Sequence, residues 1–251
     1  MYQNFSGHEL SLYELSVVFL VKNQNPTLLN WDFLKYSGIV PQDWRLDSNP
    51  VYTQQGSQLI FENGLQIASD NSRTIFLENI IGKSIDNIVA AQIAQLYTQV
   101  LPYVEYEGLG INLTGVVSFR EQPQLAQTYL AKNLFAGGNW LEFGIQPPKV
   151  DVNISYTLEQ GNLNMQISQI ELPQENQEAK MPAIRYFGNF DYGLQQVPIT
   201  ERLGRLQSVL VQWQAHIEMF TSLINERFMN ENNLSFPGGN QNLTGEPIEQ
   251  F

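Results

Sequence analysis

The sequence predicts an α+β protein built as one curved antiparallel sheet with long helices on one face. Short stretches in which apolar and polar side chains alternate are separated by turn residues, as is typical of antiparallel strands. Two longer stretches carry apolar side chains at steps of three and four, the spacing of an amphipathic helix. The order strand, helix, strands, helix occurs twice along the chain. Because two amphipathic helices need an apolar surface to cover, we expect the sheet to be buried on one face.

The first half of the chain contains four predicted strands. Ser11 to Val21 alternates over its whole length, so one of its faces is expected to be buried. Val51 to Phe61, Leu65 to Ser69 and Arg73 to Leu77 follow as a meander. Asn63-Gly64 lies between the first two of these and favours a tight type I′ hairpin, in which both residues have positive φ. These three strands are therefore expected to pair with their neighbours in sequence.

Besides a short helix through Trp31, Phe33, Leu34 and Tyr36 that closes at Gly38, helices are predicted at three places. One begins at Ser84, a good N-cap, and ends near Leu101 before a proline. Another opens at Gln122-Pro123 and closes at Gly137-Gly138. The longest is a single helix from Ile199 to Met229, about 45 Å at 1.5 Å per residue. Its apolar face consists of Leu203, Leu206, Leu210, Trp213, Ile217, Phe220 and Ile224.

The second half of the chain repeats the order of the first. A change of apolar phase at Ser168-Gln169 suggests a bulge within one strand, and a polar loop is expected from Pro173 to Met181. The match between the halves lies in the order of elements rather than in residue identity, and it predicts an internal duplication. Strands are expected at Leu109 to Phe119, Val150 to Leu158, Leu163 to Leu172 and Ile184 to Tyr192.

The predicted duplication divides the chain into two halves and a tail. Residues 1–102 form a first α+β half, and residues 103–229 form a second half that packs with the first as one unit. Residues 230–251 are polar and non-periodic and contain Pro237-Gly238-Gly239. A flexible tail is therefore expected there.

Composition narrows the range of functions. The 251 residues include no cysteine, which excludes disulfides, thiolate metal sites and cysteine nucleophiles. With 13 basic and 25 acidic side chains the formal net charge is −12, so the chain is a poor candidate for binding nucleic acid. No signal-like segment or long apolar run occurs, so we expect a cytoplasmic protein without a membrane partner. Its glycine pairs do not open a helix after a strand, and no cofactor is expected.

Three segments carry a resemblance to known proteins: Leu15 to Val21, Gly108 to Asn112, and Phe190-Asp191-Tyr192 before the last helix. Through them the chain resembles an uncharacterised, sporadically distributed bacterial family of similar length. That family's central strand carries arginines beside its glycine, whereas this chain has Glu105 and Glu107. The duplicated order of elements also resembles the TATA-binding-protein-like fold, a saddle built from two such halves. Neither resemblance implies an established activity.

Two surfaces are candidates for interaction. One is the apolar face of the last helix, with Trp213, Ile217, Phe220 and Ile224, which either packs on its own sheet or forms a seam for self-association. The other is the polar side of the sheet, which is either solvated or forms a groove for a peptide or a small polar ligand. Tyr106 and Phe187 are expected among its neighbours. Its neutral residues are Gln54, Gln58, Asn112, Thr114, Asn153, Ser155, Asn164 and Gln166.

These observations favour a non-enzymatic interaction or scaffold module in a cytoplasmic complex, with another protein or a second copy as its partner. One alternative is a metal-dependent hydrolase that uses carboxylates from several strands, such as Asp151, Asp191, Glu105 and Glu107. Another is nucleic-acid binding through the saddle face, which the net charge disfavours. His216 is expected to be a hydrogen-bonded histidine at the edge of the helix's apolar face rather than a metal ligand.

Overall fold

Nine strands form a single antiparallel sheet in the computed structural model, which describes residues 9–119, 126, 129–134, 138–145, 148–174 and 177–229. The strands are β1 (Ser11–Val21), β2 (Val51–Tyr52), β3 (Gly56–Ile60), β4 (Leu65–Asp70), β5 (Arg73–Asn79), β6 (Tyr106–Ser118), β7 (Asp151–Thr157), β8 (Asn162–Gln174) and β9 (Gln177–Gly193). Their order across the sheet is β2-β3-β4-β5-β1-β6-β9-β8-β7. The predicted α+β class with one antiparallel sheet is confirmed.

Four α-helices with described bounds accompany the sheet. They are α1 (Trp31–Tyr36), α2 (Ala90–Val100), α3 (Ile199–Leu210) and α4 (Trp213–Ser222). Short 3₁₀-helices lie at Pro26–Leu28, Ile85–Asn87 and Asn139–Glu142, and π-helical turns lie at Leu130–Leu134 and Leu223–Phe228. Within the described ranges no helix is both long enough and apolar enough to cross a membrane.

The core lies between one face of the sheet and the helices. Leu15, Val17 and Phe19 of β1 are fully buried on this face. Tyr97 of α2 stacks on Phe19 with ring centroids 5.9 Å apart, and His216 of α4 meets the Phe190 ring of β9 at 4.7 Å. We call the opposite face, which points away from these helices, the open face.

The predicted single helix from Ile199 to Met229 is wrong in one respect: it is divided. α3 ends at Leu210, and the N–H of Gln212 donates to the Val209 carbonyl in a tighter i to i−3 turn before α4 begins. After Ser222 the chain widens into the π-helical turn. The apolar stripe continues across the division, so both helices still cover the sheet.

The predicted start of the second long helix at Ser84 is also wrong. Ser84 precedes a 3₁₀ turn without capping it through its side chain, and α2 begins at Ala90. The cap comes from β5 instead, where the fully buried Glu78 carboxylate accepts hydrogen bonds from the N–H groups of Val89 and Ala90 at 2.8 and 2.7 Å. The same carboxylate pairs with Lys83 at 2.7 Å. A buried acid from the sheet therefore stabilises the positive end of the helix dipole.

Several local predictions are corrected. β8 and β9 form a long hairpin through most of the expected loop from Pro173 to Met181, because Leu172 pairs with Met181 there. Pairing is regular through Ser168-Gln169, and the register shift lies at Leu172/Gln174. The predicted strand from Val51 to Phe61 is interrupted between β2 and β3. In the Asn63-Gly64 turn only Gly64 has a positive φ, so this is not a type I′ hairpin.

The strand order is similar on both sides of the central pair of β1 and β6. β5 pairs with β1 and β9 pairs with β6, and the remaining strands of each half follow outward. A duplication would produce this order, and the duplication itself stays a prediction. The expected helix start at Gln122-Pro123 and the expected tail at 230–251 lie outside the described residues.

Candidate binding surface

A row of amide and hydroxyl side chains crosses five strands on the open face. The Asn112 side-chain N–H donates to Ser16 Oγ at 3.1 Å, and the Asn189 amide donates to Asn112 Oδ1. At the other end, Ser155 Oγ donates to Asn164 Oδ1 at 2.8 Å. We call this row the amide ladder. Strand register places its members side by side in the order Ser16, Asn112, Asn189, Asn164 and Ser155.

The amide ladder is interrupted between β9 and β8. Asn189 and Asn164 are direct cross-strand partners, yet within the described part of the chain no hydrogen bond joins their side chains. Asn189 uses its N–H₂ group within the ladder and keeps its carbonyl oxygen free, whereas Asn164 uses its oxygen and keeps its N–H₂ group. One acceptor and one donor are therefore available at neighbouring positions.

A depression of about 270 Å³ adjoins this interruption. Its aromatic member is the half-buried Phe187, which lies in register with Gln166 on β8 and Thr114 on β6. The side-chain amides of Asn153 and Gln166 have no hydrogen-bond partner among the described residues. An aromatic ring beside free amides can hold a polar ligand that also has an apolar part. The lining residues are Asn153, Ile154, Ser155, Asn164, Met165, Gln166 and Phe187.

Gly110 of β6 leaves space for the side chains of the amide ladder because it has no Cβ. A Cβ at this position would lie 3.1 Å from the side-chain nitrogen of Asn189 and 3.6 Å from Oδ1 of Asn112. The glycine therefore lets the Asn189 side chain lean across β6 to reach Asn112.

Few charged groups lie near the amide ladder. Glu14 of β1 is in register with Thr114, and burial raises the pKa of its carboxyl. Asp191 of β9 is in register with Gly110. Neutral amides and hydroxyls outnumber these acids along the row, so hydrogen bonding rather than ion pairing sets the chemistry of this surface.

The structure gathers most of the predicted polar residues. Asn112 and Thr114 lie half-buried on the open face of β6, and the four predicted residues of β7 and β8 line the depression. Gln58 lies on β3, four strands away from β6, and Gln54 lies in the turn between β2 and β3. Those two residues do not join the site.

Tyr106 is placed wrongly by the sequence prediction. It is 2% exposed and belongs to the core, with its ring 5.5 Å from the Phe19 ring. Its hydroxyl donates to the Leu101 carbonyl at 3.0 Å. A register shift between Leu20 and Val21 of β1 accompanies this reversal of its side.

The predicted helix residues pack inward. Trp213, Ile217, Phe220 and Ile224 are at most 8% exposed, and all four belong to the hydrophobic core. The exposed side of α4 carries Met219 instead. This geometry corresponds to the packing alternative rather than to an accessible seam.

The carboxylates of the hydrolase alternative lie apart. Asp151 shares a row with Arg185 on β9, and Asp191 lies six residues further along that strand, about 20 Å away at 3.3 Å per residue. Glu105 lies 3.6 Å from Lys22 in an exposed ion pair. Within the described ranges no three acids or histidines gather closely enough to hold a metal ion.

Two members of the amide ladder, Ser16 and Asn189, escaped the sequence prediction. In β9, Phe187, Asn189 and Asp191 alternate with buried residues, three of which are aromatic, and this alternation was a usable signal for Asn189. Ser16 lies among apolar neighbours in β1, so its link to Asn112 depends on strand register. The chain matches no protein-family model, and no curated protein has a similar sequence.

Proposed function

We propose that this protein is a non-enzymatic interaction module that holds a segment of a partner protein on the open face of its sheet. The observation that carries the proposal is the amide ladder with its interruption beside the depression. The free carbonyl of Asn189 and the free N–H₂ of Asn164 point to a ligand that both donates and accepts hydrogen bonds.

A peptide segment fits these groups better than other classes of ligand. The side chains of asparagine and glutamine carry the same C=O and N–H groups as a peptide bond. Their C=O groups can therefore accept from the N–H groups of a peptide backbone, and their N–H groups can donate to its C=O groups. Phe187 supplies the apolar contact that anchors a side chain of the segment. The near-neutral surface gives little attraction for nucleic acid, whose binding depends on several basic side chains at phosphates.

The test is an affinity capture from a lysate of the source organism with Phe187→Ala as the variant bait. Removing the ring takes away the apolar anchor, so we expect about tenfold less retained partner than with the wild-type protein. Hydrogen exchange of the wild-type complex should show protection in β8 and β9. Capture of a protein that leaves these strands unprotected would contradict the proposal.

Met219→Ala is the matched control. Met219 is exposed on α4, on the opposite side of the molecule from the open face, and its loss should leave the retained amount unchanged. A partner that is lost with Met219→Ala and kept with Phe187→Ala would place the interface on the helices and overturn the proposal. Circular dichroism of both variants checks that each is folded before the comparison is made.

A further inference from the structure

Two polar groups on the open face are buried without a hydrogen-bond partner in the described part of the chain: Nε of Arg185 and Oγ of Ser168. They belong to cross-strand neighbours, Arg185 on β9 and Ser168 on β8. Ser168 is only 6% exposed. The ion pairs between described residues do not include Arg185. Arg185 and Ser168, which pair across β9 and β8, therefore each carry a buried donor that is unused among the described residues.

No described residue in register with Arg185 supplies the missing acceptor. On the β6 side, Arg185 is in register with Val116, an apolar residue that is 5% exposed. The nearest acid by register is Asp151, which lies beyond Ser168 on the edge strand, about 10 Å from Arg185 across two strand spacings. Leaving a buried donor unpaired costs free energy that a bound acceptor would recover.

We infer that Arg185 and Ser168 form a binding site for a single carboxylate group. The guanidinium presents two parallel N–H donors to a carboxylate, and a serine hydroxyl adds a third. One arginine balances one negative charge, whereas a phosphate dianion would keep an excess charge in a protein whose net charge is already −12. A carboxylate is therefore the better match than a phosphate.

The position of this site connects it to the depression. Arg185 and Phe187 are two residues apart on the same face of β9, and Ser168 and Gln166 are two apart on β8, which is about 7 Å along each strand. This distance corresponds to about two residues of an extended peptide. The inference rests on the proposed function: the carboxylate belongs to the partner segment, and the peptide groups before it reach Gln166 and Asn153.

The experiment is an NMR titration of the full-length protein that follows the Nε–H signal of Arg185, assigned by its absence in Arg185→Gln. The probes are sodium acetate, N-acetylglycylglycine, the amide-capped form of that dipeptide, sodium phosphate and sodium chloride, compared at equal ionic strength. We expect saturable shifts with acetate and at least fivefold tighter binding of N-acetylglycylglycine. Ser168→Ala should weaken both by threefold or more, and Arg73→Gln, which removes an arginine paired with Asp70 on the same sheet, should change neither.

Each other result overturns a stated part of the inference. Equal shifts with chloride or with the amide-capped dipeptide would show that the site does not select a carboxylate. Tighter binding of phosphate than of acetate would show that the site binds phosphate rather than a carboxylate. Equal affinity for acetate and the dipeptide would break the link to a peptide segment. In the capture experiment, a partner that Arg185→Gln retains fully would refute the role of this site, while the proposed function would stand. If the protein bound carboxylates but captured no partner on its open face, the carboxylate site would stand and the proposed function would be refuted.

Discussion

At the scale of single residues, polar side chains on the helix-covered face of the sheet and those on its open face differ in how many of their hydrogen-bonding groups have partners. In the core, the Gln24 side-chain nitrogen lies 2.8 to 3.0 Å from the hydroxyl oxygens of Ser69, Thr74 and Tyr97, so a cluster of polar side chains is satisfied internally. On the open face, Asn164, Asn189 and Arg185 carry hydrogen-bonding groups that have no partner among the described residues. Because a buried or half-buried polar group is costly without a partner, the contrast indicates where an external ligand would bind.

His216 is satisfied internally as well. Its Nδ1–H donates to the Gln212 carbonyl at 2.8 Å, and its Nε2 accepts from the Tyr192 hydroxyl at 2.6 Å. This arrangement uses the neutral imidazole, which has one donor and one acceptor. The expectation of a hydrogen-bonded histidine on the helix agrees with these contacts, although the ring is 5% exposed rather than at an accessible edge.

The first prediction concerns acid stability. Burial lowers the pKa of His216 below its ordinary value of 6.5, against a smaller raising effect of the Gln212 hydrogen bond. The unfolded chain therefore takes up a proton first, so the stabilising contribution is present above pH 6.5 and is lost as the pH falls below it. We expect urea midpoints to decrease between pH 7 and 5.5 and this decrease to become smaller in His216→Gln. The limit for one proton is about 1.4 kcal/mol per pH unit.

The control for this prediction is His8→Gln, which removes the other histidine of the chain. We expect its pH dependence to match that of the wild-type protein. If His8→Gln reduced the slope while His216→Gln left it unchanged, the assignment to the buried histidine would be refuted.

At the scale of elements, one close contact fixes how α4 lies on the sheet. Phe220 of α4 packs on the backbone of β9 at Gly188, where an added Cβ would lie 2.7 Å from the ring. Phe220 is fully buried, so its ring has little freedom to move away. The sheet presents its helix-facing side at Gly188 and its open face at Phe187 and Asn189. The helix contact and the amide ladder therefore share one strand.

The second prediction uses this contact. Gly188→Ala forces a methyl group into the Phe220 ring, and we expect a loss of about 1–3 kcal/mol in the free energy of unfolding, as for other overpacked cores. Gly204→Ala is the matched control, because a Cβ there meets nothing within 4 Å. Within α3 the alanine should stabilise the protein by about 0.4–1 kcal/mol. Urea denaturation of both variants measures the two effects, and a Gly188→Ala protein as stable as the wild type would contradict the contact.

At the scale of the whole molecule, the sequence predicts what depends on local pattern. Alternation along β1, β4 and β5, together with apolar stripes in the helices, is enough to predict one sheet with helices on one side. The capping of α2 by Glu78 escaped prediction because it depends on a contact between distant segments, and the division of the last helix before Gln212 escaped prediction as well. The same holds for the site: Asn112 and Asn164 are visible in the sequence as polar strand residues, but their alignment with Asn189 depends on register across three strands.

The third prediction is that both halves unfold together. β1 and β6, one from each predicted half, pair along almost their entire length, and Gln207 of α3 donates to Thr98 of α2 at 3.2 Å. Because the core is continuous across this pair, neither half can lose its structure without exposing the other. We expect one cooperative transition in urea.

In a Trp140→Phe/Trp213→Phe variant the remaining tryptophans, Trp31 and Trp44, pack beside Phe61 and report on the first half. A Trp31→Phe/Trp44→Phe variant reports on the second half. In each variant the fluorescence and far-ultraviolet circular dichroism curves should coincide, and fluorescence that changes at a lower urea concentration than circular dichroism in either variant would show that the halves unfold separately.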